Sequence, residues 1–164
     1  MAIFLRALIL AAVTCAAVTT AMAQDATIAF GGLKQDTTLP VKVDADQLSV
    51  NNADGTAIFT GNVVVAQGEM RLSAAEVKVK YAADGKSIDQ LLASGGVTIS
   101  NLADAAEARE ALYTIGSGIV VMTGDVLLTQ GASTIAGQKL TIDLKTGAGT
   151  MEGRVSTTFL PGGN

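Results

Sequence analysis

The sequence predicts an all-β domain built from repeated units, on three observations. The triplet Gly-x-Val recurs at residues 61, 95, 124 and 153, at spacings of 34, 29 and 29 residues. The segment TGNVVVAQG at 60–68 matches TGDVLLTQG at 123–131, an offset of 63 residues. Several segments alternate apolar and polar residues with a period of two, the pattern of a strand with one dry and one wet face. Together these features indicate stacked units that each contain a few strands.

The alternating segments define the individual strands, and turn residues separate them. Clear alternation occurs at 41–44, 77–81 and 140–145. Clusters of Gly, Asn, Asp and Ser mark turns, and they predict turns at 51–55, 83–86, 94–96, 116–118 and 146–149. We therefore expect strands of about 5 to 10 residues joined by tight turns. The glycines of the Gly-x-Val triplets are interpreted as bulges, turns or points of close backbone approach.

One segment fits this scheme less well. Residues 104–112 (DAAEAREAL) contain strong helix formers and no β-branched residue, a composition that favours a helix. Their apolar positions do not form the wide stripe that a packed helix needs, and the repeat expects a strand here. We predict a strand, with a helix as the alternative.

The N-terminus has the three parts of a secretory signal peptide. Arg6 gives a short positive region, 7–18 is mostly apolar, and Ala21-Met22-Ala23 is an A-x-A cleavage site. The apolar run is shorter than the roughly 20 residues that a membrane-spanning helix needs. We predict that 1–23 is removed before Gln24, with an uncleaved membrane anchor as the alternative.

The composition of the remaining chain excludes several classes of function. Without 1–23, 10 of the 11 Lys and Arg remain against 15 Asp and Glu, a net charge of −5. This acidic balance argues against nucleic acid as a partner, because phosphate contacts need clustered basic residues. The expected domains are a flexible N-terminal segment at 24–39 and a single β domain at 40–160.

Residues for ordinary catalysis or metal binding are scarce. The chain has no histidine, and its one cysteine, Cys15, lies in the predicted signal peptide. The acidic pairs Asp44/Asp46 and Glu107/Glu110 lack the spacing of a calcium-binding loop. We therefore predict no enzymatic activity, no cofactor, no metal site and no disulfide.

The remaining candidates for a functional site are the apolar residues that lie on one face of each predicted strand, at every second position. This set either closes into an ordinary core or lines a groove for lipid, and the pattern fits both. Its members are Val41, Val43, Ala57, Phe59, Val63, Val65, Leu72, Val77, Val79, Tyr81, Val97, Ile99, Tyr113, Ile115, Val120, Met122, Val126, Leu128, Ile135, Leu140, Ile142, Leu144 and Phe159.

Three joined motifs resemble the OstA-like family of lipopolysaccharide transport proteins. They are PVKVDADQL at 40–48, FTGNVVVAQG at 59–68 and LSAAEVKV at 72–79, and 122–144 repeats the pattern. The resemblance covers roughly 40–160. It implies an open antiparallel β jelly roll, taco-like in shape and built from stacked repeats, whose interior holds the acyl chains of lipid A.

The resemblance also implies a role and a set of binding residues. The role is a periplasmic carrier or bridge that passes lipopolysaccharide from the inner to the outer membrane. Its partners would be an inner-membrane LptC-like protein, an outer-membrane LptD-like protein and further copies of itself in a head-to-tail oligomer. The family's lipid contacts map onto Val41, Ile99, Tyr113 and Ile115. With the apolar set, the predicted lipid-binding residues are Val41, Val43, Phe59, Val63, Val65, Ile99, Tyr113, Ile115, Met122, Leu140 and Ile142.

Two alternatives remain open at this point. One is a β scaffold that links envelope proteins without binding lipid. The other is a related protein that keeps its N-terminus as an inner-membrane anchor.

Overall fold

Strands form nearly all of the regular structure. A computed structural model describes residues 26–29, 33–102 and 104–159, so the predicted signal peptide lies outside the described residues. Within these ranges the strands form one antiparallel sheet and there is no helix. The all-β prediction is confirmed. The strands are β1 (Ala26–Ala29), β2 (Lys42–Asp44), β3 (Gln47–Asn51), β4 (Thr56–Gln67), β5 (Met70–Tyr81), β6 (Ile88–Asn101), β7 (Asp104–Thr114), β8 (Ile119–Gln130), β9 (Ser133–Asp143), β10 (Ala148–Glu152) and β11 (Ser156–Thr158).

The sheet is a meander of long antiparallel strands. At each edge, two short strands pair with the same long strand. Strands β4 to β9 are neighbours in chain order, and the full path runs β1-β10-β9-β8-β7-β6-β5-β4-β2. On one side β2 and β3 both pair with β4, β3 with its first part and β2 with its last. On the other side β10 and β11 both pair with β9. The sheet is therefore open, as predicted.

The predicted turn at 94–96 is wrong, and so is the expected strand length. Strand β6 runs for 14 residues straight through this segment, and its pairing with β7 shifts register between Ser94 and Val97. Gly95 and Gly96 have φ angles of 82° and 85°. Two glycines in the left-handed region bend a strand without ending it, because their bulge inserts residues while pairing resumes on either side. The other predicted turns coincide with the observed hairpin loops.

The Gly-x-Val triplets at 61, 95 and 124 are confirmed as bulges, whereas the triplet at 153 separates β10 from β11. Gly61 and Asn62 have φ angles of 80° and 46°, and Gly124 and Asp125 have φ angles of 86° and 48°. The first glycine of each pair also lies against a side chain of a neighbouring segment, Asp46 for Gly61 and Arg109 for Gly124. A Cβ atom on Gly61 would approach Asp46 Oδ2 to 2.5 Å, so both the backbone conformation and the packing require glycine there.

These bulges occur midway along successive strands and divide the sheet into two halves. We call them half one and half two. The hairpin turns of half one follow Gln67, Asn101 and Gln130, and those of half two follow Asn51, Tyr81, Thr114 and Asp143. The buried apolar residues of both halves form a single core cluster. Tyr113 of half two donates its hydroxyl hydrogen to Gln67 Oε1 of half one at 2.7 Å, so the bent sheet encloses its own apolar face.

Two further expectations are resolved by this architecture. Residues 104–112 form most of β7, paired with β6 and β8 on its two sides, so the strand is confirmed and the helix is wrong. Ladder hydrogen bonds on both edges outweigh the local helix propensity. The interior position predicted for Phe159 is wrong: its side chain is 72% exposed, because it follows the short edge strand β11, whose residues are all exposed.

Candidate functional site

The apolar face inside the bent sheet collects every residue predicted to bind lipid. The residues that are 0–1% exposed are Val63, Val65, Ile99, Tyr113, Met122, Leu140 and Ile142. Four others, Val41, Val43, Phe59 and Ile115, are partly buried and pack against the same cluster. The structure thus brings all eleven together, and their contact with lipid stays a prediction.

Cross-strand register explains how distant residues meet on this face. In half two, Leu91, Tyr113, Val120 and Ile142 pair in sequence across four strands. In half one, Leu72, Ile99, Ala106, Leu128 and Ile135 pair in sequence across five strands. Successive side chains along a strand point to opposite faces, so each such row is dry throughout. We call the interior between the two dry faces, which their side chains fill in the described structure, the cleft.

Four large buried residues escaped the sequence reasoning. Leu33, Met70, Leu91 and Met151 are 0–1% exposed. Leu91 shares the parity of Val97 and Ile99, and would have been found if β6 had been recognised as continuous through its glycines. Leu33 was missed because it precedes the alternating segments.

Residues 33–39, which we call the strap, cross the open side of the cleft. They connect β1, which pairs with β10, to β2, which pairs with β4 at the opposite edge. The Gln35 backbone N–H donates to Leu144 O at 2.8 Å, and Leu33 is fully buried in the core. The sequence assigned 24–39 to a flexible segment; in the structure its described parts comprise β1 and this packed crossing.

Gln67 fastens the strap to the sheet. Its Nε2 atom donates to Thr37 O at 3.0 Å and to Leu39 O at 2.9 Å. Its Oε1 atom accepts from Tyr113 Oη at 2.7 Å and from Gln35 Nε2 at 3.0 Å. All four hydrogen-bonding positions of the amide are therefore used. The sequence offered one signal for this role: Gln67 has the inward parity of Val63 and Val65.

Tyr113 acts in this network as a neutral donor. Burial raises the pKa of its hydroxyl above the ordinary value of 10.0. Protonated tyrosine can donate, whereas the phenolate cannot. The contact between the two halves is thus made by an uncharged pair.

Comparison with known proteins identifies the family. Residues 42–148, more than half of the chain, match the model of the LptA/(LptD N-terminal domain) LPS transport proteins. The chain belongs to this family. The match runs from β2 to the start of β10, so the strap and β11 lie outside it.

This LptA/LptD N-terminal family member is also similar to individual proteins. An uncharacterized protein of Rhizobium meliloti (strain 1021) is 30% identical over 152 residues, which cover 86% of this chain and 82% of that protein. The Lipopolysaccharide export system protein LptA of Escherichia coli (strain K12) is 29% identical over 116 residues, covering 67% of this chain and 63% of that protein.

A solved structure shows the same fold. It is LptH of Pseudomonas aeruginosa, described as the LptA homologous periplasmic component of the lipopolysaccharide transport device. The two structures superpose with a TM-score of 0.68 at 20% identity, and the match covers 77% of this chain and 99% of that one.

In this family member the carboxyl groups with perturbed pKa values are exposed and accept hydrogen bonds from residues two or three positions further along the chain. Asp84 has its pKa lowered to about 2, first by the hydrogen bond from the Ser87 hydroxyl and then by the Lys86 and Ser87 backbone N–H groups. Hydrogen bonds of the same kind lower the pKa values of Asp36 and Asp143. Among the described residues there is no cluster of three or more candidate metal ligands, and no helix there could cross a bilayer.

Proposed function

We propose that this protein is a non-enzymatic carrier of lipopolysaccharide, with the acyl chains of lipid A held in the cleft. The observation that carries the proposal is the convergence of all eleven predicted lipid-binding residues on one continuous apolar face. The names of the family and of its relatives, which concern lipopolysaccharide transport and export, support it.

Such a carrier shields the acyl chains of the lipid from water. Exposing a methylene group to water costs about 0.8 kcal/mol, so a lipid with several chains cannot readily cross an aqueous space alone. Transfer between the cleft and a similar apolar site is nearly thermoneutral. Direction must therefore come from another component, and chemistry by the carrier is not required.

The residues at the margin of the cleft would meet the lipid first. Val41, Val43, Phe59 and Ile115 are already partly exposed, whereas the remaining seven predicted residues are closed in the described state. The lipid would enter past the marginal residues and separate the two dry faces. Movement of the strap would accompany this entry, because the strap crosses the open side.

The proposal includes location and domain organisation. Cleavage after residue 23 would release the protein into the periplasm, with 24–39 leading into the β domain at 40–160. Edman sequencing of the exported protein should give Gln24 as its first residue. An intact N-terminus would instead support an inner-membrane anchor.

The sheet edges support head-to-tail assembly. Every residue of strands β3 and β11, at opposite edges of the sheet, is exposed, and Leu48, Val50 and Phe159 there are 53%, 58% and 72% exposed. Edge strands recruit a further strand through unpaired backbone groups, and contacts between unlike edges extend without closing. An LptC-like protein at one end and an LptD-like protein at the other would complete the bridge.

Site-specific photo-crosslinking tests the carrier function. A photoreactive residue at Ile115 or Val41 should trap lipopolysaccharide in cells that export it. The matched control is Lys80, an exposed residue on β5. Labelling at Lys80 equal to that at Ile115 would contradict binding in the cleft.

One observation favours a second function, the lipid-free scaffold. The interior is closed in this state, since most of its large side chains are no more than 1% exposed. A scaffold predicts concentration-dependent oligomers without co-purifying lipid. Native mass spectrometry of protein purified from the periplasm separates the two, because only the carrier should retain lipopolysaccharide.

A further inference from the structure

The two lips of the cleft differ in chemistry. Lip one consists of the inward-facing residues at the free ends of the half-one strands. They are Gln67, Met70, Asn101, Asp104, Gln130 and Ser133. Lip two consists of the corresponding residues of half two, which are Tyr81, Ile88, Ile115 and Leu144. Lip one is thus mainly polar and lip two mainly apolar.

The polarity of lip one is unusual for a buried row. The next row inward contains only Val, Leu, Ile and Ala. Yet Asn101 and Asp104 are only 3% and 8% exposed. Buried polar groups are normally hydrogen-bonded, so each one that is not calls for an explanation.

The unmet groups on lip one and the strap are hydrogen-bond acceptors. Asn101 Oδ1 is buried without a hydrogen-bond partner, and so is Gln35 Oε1 of the strap. Asp104 Oδ2 accepts from Gln130 Nε2 at 3.2 Å, which is at the long end of the normal range. In the described part of the chain, the ion pairs involve other carboxylates than Asp104. This lip therefore presents carbonyl and carboxylate oxygens that lack a strong donor.

We propose that lip one is a subsite for hydrogen-bond donors at the polar end of the lipid, namely hydroxyl and amide N–H groups. Asn101 is its central acceptor and Asp104 its second. The inference rests on the proposed function, since it assumes that the chains of the same lipid lie in the cleft. It adds to that function the chemical groups that lip one recognises and the orientation of the lipid in the cleft.

The same chemistry argues against phosphate at this lip. A phosphate offers acceptor oxygens and negative charge, and both are unfavourable beside the Asn101 carbonyl and the Asp104 carboxylate. The subsite would instead hold the hydroxyl or amide part of an acylated sugar. Any phosphorylated part would then point away from lip one.

A pair of ligands with the same chain tests the subsite in the full-length exported protein. N-tetradecanoylglucosamine carries amide and hydroxyl donors, whereas methyl tetradecanoate carries acceptors only. Each is used to displace an apolar fluorescent dye from the cleft. Wild-type protein should bind the glucosamine amide roughly tenfold more tightly, the weight of one or two hydrogen bonds.

Substitution of the acceptor should abolish this preference. In Asn101→Leu the ratio of the two affinities should fall to about one, with methyl tetradecanoate bound as before. Ser100→Leu is the matched control, because Ser100 precedes Asn101 on the outward face of β6, and it should keep the tenfold ratio. Asp104→Asn should reduce the ratio by a smaller factor.

The outcomes separate this subsite from the carrier function. An unchanged ratio in folded Asn101→Leu overturns the subsite, and so does a ratio near one in wild-type protein. The ratio in wild-type protein tests the subsite even if Asn101→Leu does not fold. Crosslinking of lipopolysaccharide at Ile115 is measured in parallel. If that signal persists while the ratio is one, the carrier function stands and the subsite fails.

Discussion

The two Gln-Gly dipeptides of the repeat share a backbone but have different surroundings. Gly68 and Gly131 have φ angles of 57° and 53°, and both follow a strand that carries a glycine bulge. Gln67 is 1% exposed and makes four hydrogen bonds. Gln130 is half-buried beside Asp104. The repeat therefore specifies the chain path, and the strap decides which copy becomes a buried junction.

The largest expected effect on stability comes from replacing Gln67 by leucine, and the matched comparison is the same replacement at Gln130. Gln67→Leu would leave Thr37 O, Leu39 O and the Tyr113 hydroxyl without their partner, and buried unpaired groups are costly. We expect a loss of about 3 kcal/mol in the free energy of unfolding. Gln130→Leu should cost less than about 1 kcal/mol, because that side chain reaches solvent.

Denaturant titration followed by circular dichroism measures both losses. Equal losses would show that the two dipeptides play the same part and that the strap contributes little. A smaller loss for Gln67→Leu than for Gln130→Leu would reverse the comparison.

The bulge glycines should behave alike in the two units, in contrast to the glutamines. Gly61→Ala and Gly124→Ala both place a side chain in the left-handed region, which costs about 1 to 2 kcal/mol. The added Cβ would also press on Asp46 in the first unit and on Arg109 in the second. Gly116→Ala is the control, because Gly116 has an ordinary φ angle and nothing within 4 Å of the added Cβ.

Thermal and denaturant unfolding of these three variants give the test. We expect the two bulge variants to agree within about 1 kcal/mol and the control to resemble the parent. If Gly61→Ala lowers the free energy of unfolding and Gly124→Ala does not, the two bulges have the same backbone conformation but contribute differently to stability.

Features of the backbone that depend on local sequence could be predicted, whereas the surroundings of a side chain often could not. Alternation at 77–81 and 140–145 and the Gly-x-Val triplets are local signals, so the strands and bulges follow from them. Strand β7 required the repeat as well, because its alanines and glutamates favour a helix. Parity alone predicted that the eleven apolar residues face the interior, and the family resemblance added the prediction that they bind lipid.

What the sequence did not reveal depends on contacts between distant segments. Leu33 is buried only because the strap crosses the cleft, and Gln67 becomes a junction only because Tyr113 and the strap meet there. Phe159 has the parity of an interior residue but follows an edge strand with nothing packed over it. The glycines at 95 and 96 resemble a turn until partner strands on both sides are known.

A smaller effect should link Tyr113 to the first glutamine and not to the second. Tyr113→Phe removes one donor to Gln67 Oε1 while Gln35 Nε2 remains, so we expect a loss of about 1 kcal/mol. In double-mutant cycles the coupling energy with Gln67→Leu should be about 1 kcal/mol. The coupling with Gln130→Leu should be close to zero, and a comparable value would show that the network extends across both units.

The pH dependence of stability offers an independent check on Tyr113. Its pKa is raised in the folded protein, so the folded state holds this proton more tightly than the unfolded state. The contribution is present below pH 10, the ordinary tyrosine value, and is lost as pH rises through the folded pKa. Between pH 9 and 11, wild type should lose more unfolding free energy than Tyr113→Phe. If the free energy of unfolding falls equally with pH in both proteins, Tyr113 is not a buried, neutral donor.

The smallest effect is expected at the outer surface of the bulges. In the first unit Asn62 Nδ2 donates to Asp46 Oδ2 at 2.9 Å, and in the second Arg109 pairs with Asp125. Both contacts lie beside a bulge glycine, yet their side chains are exposed, and exposed pairs contribute little. Asn62→Ala and Arg109→Ala should each cost less than about 0.5 kcal/mol. If either costs as much as its neighbouring Gly→Ala variant, these surface contacts, and not the left-handed backbone, hold the bend of the sheet.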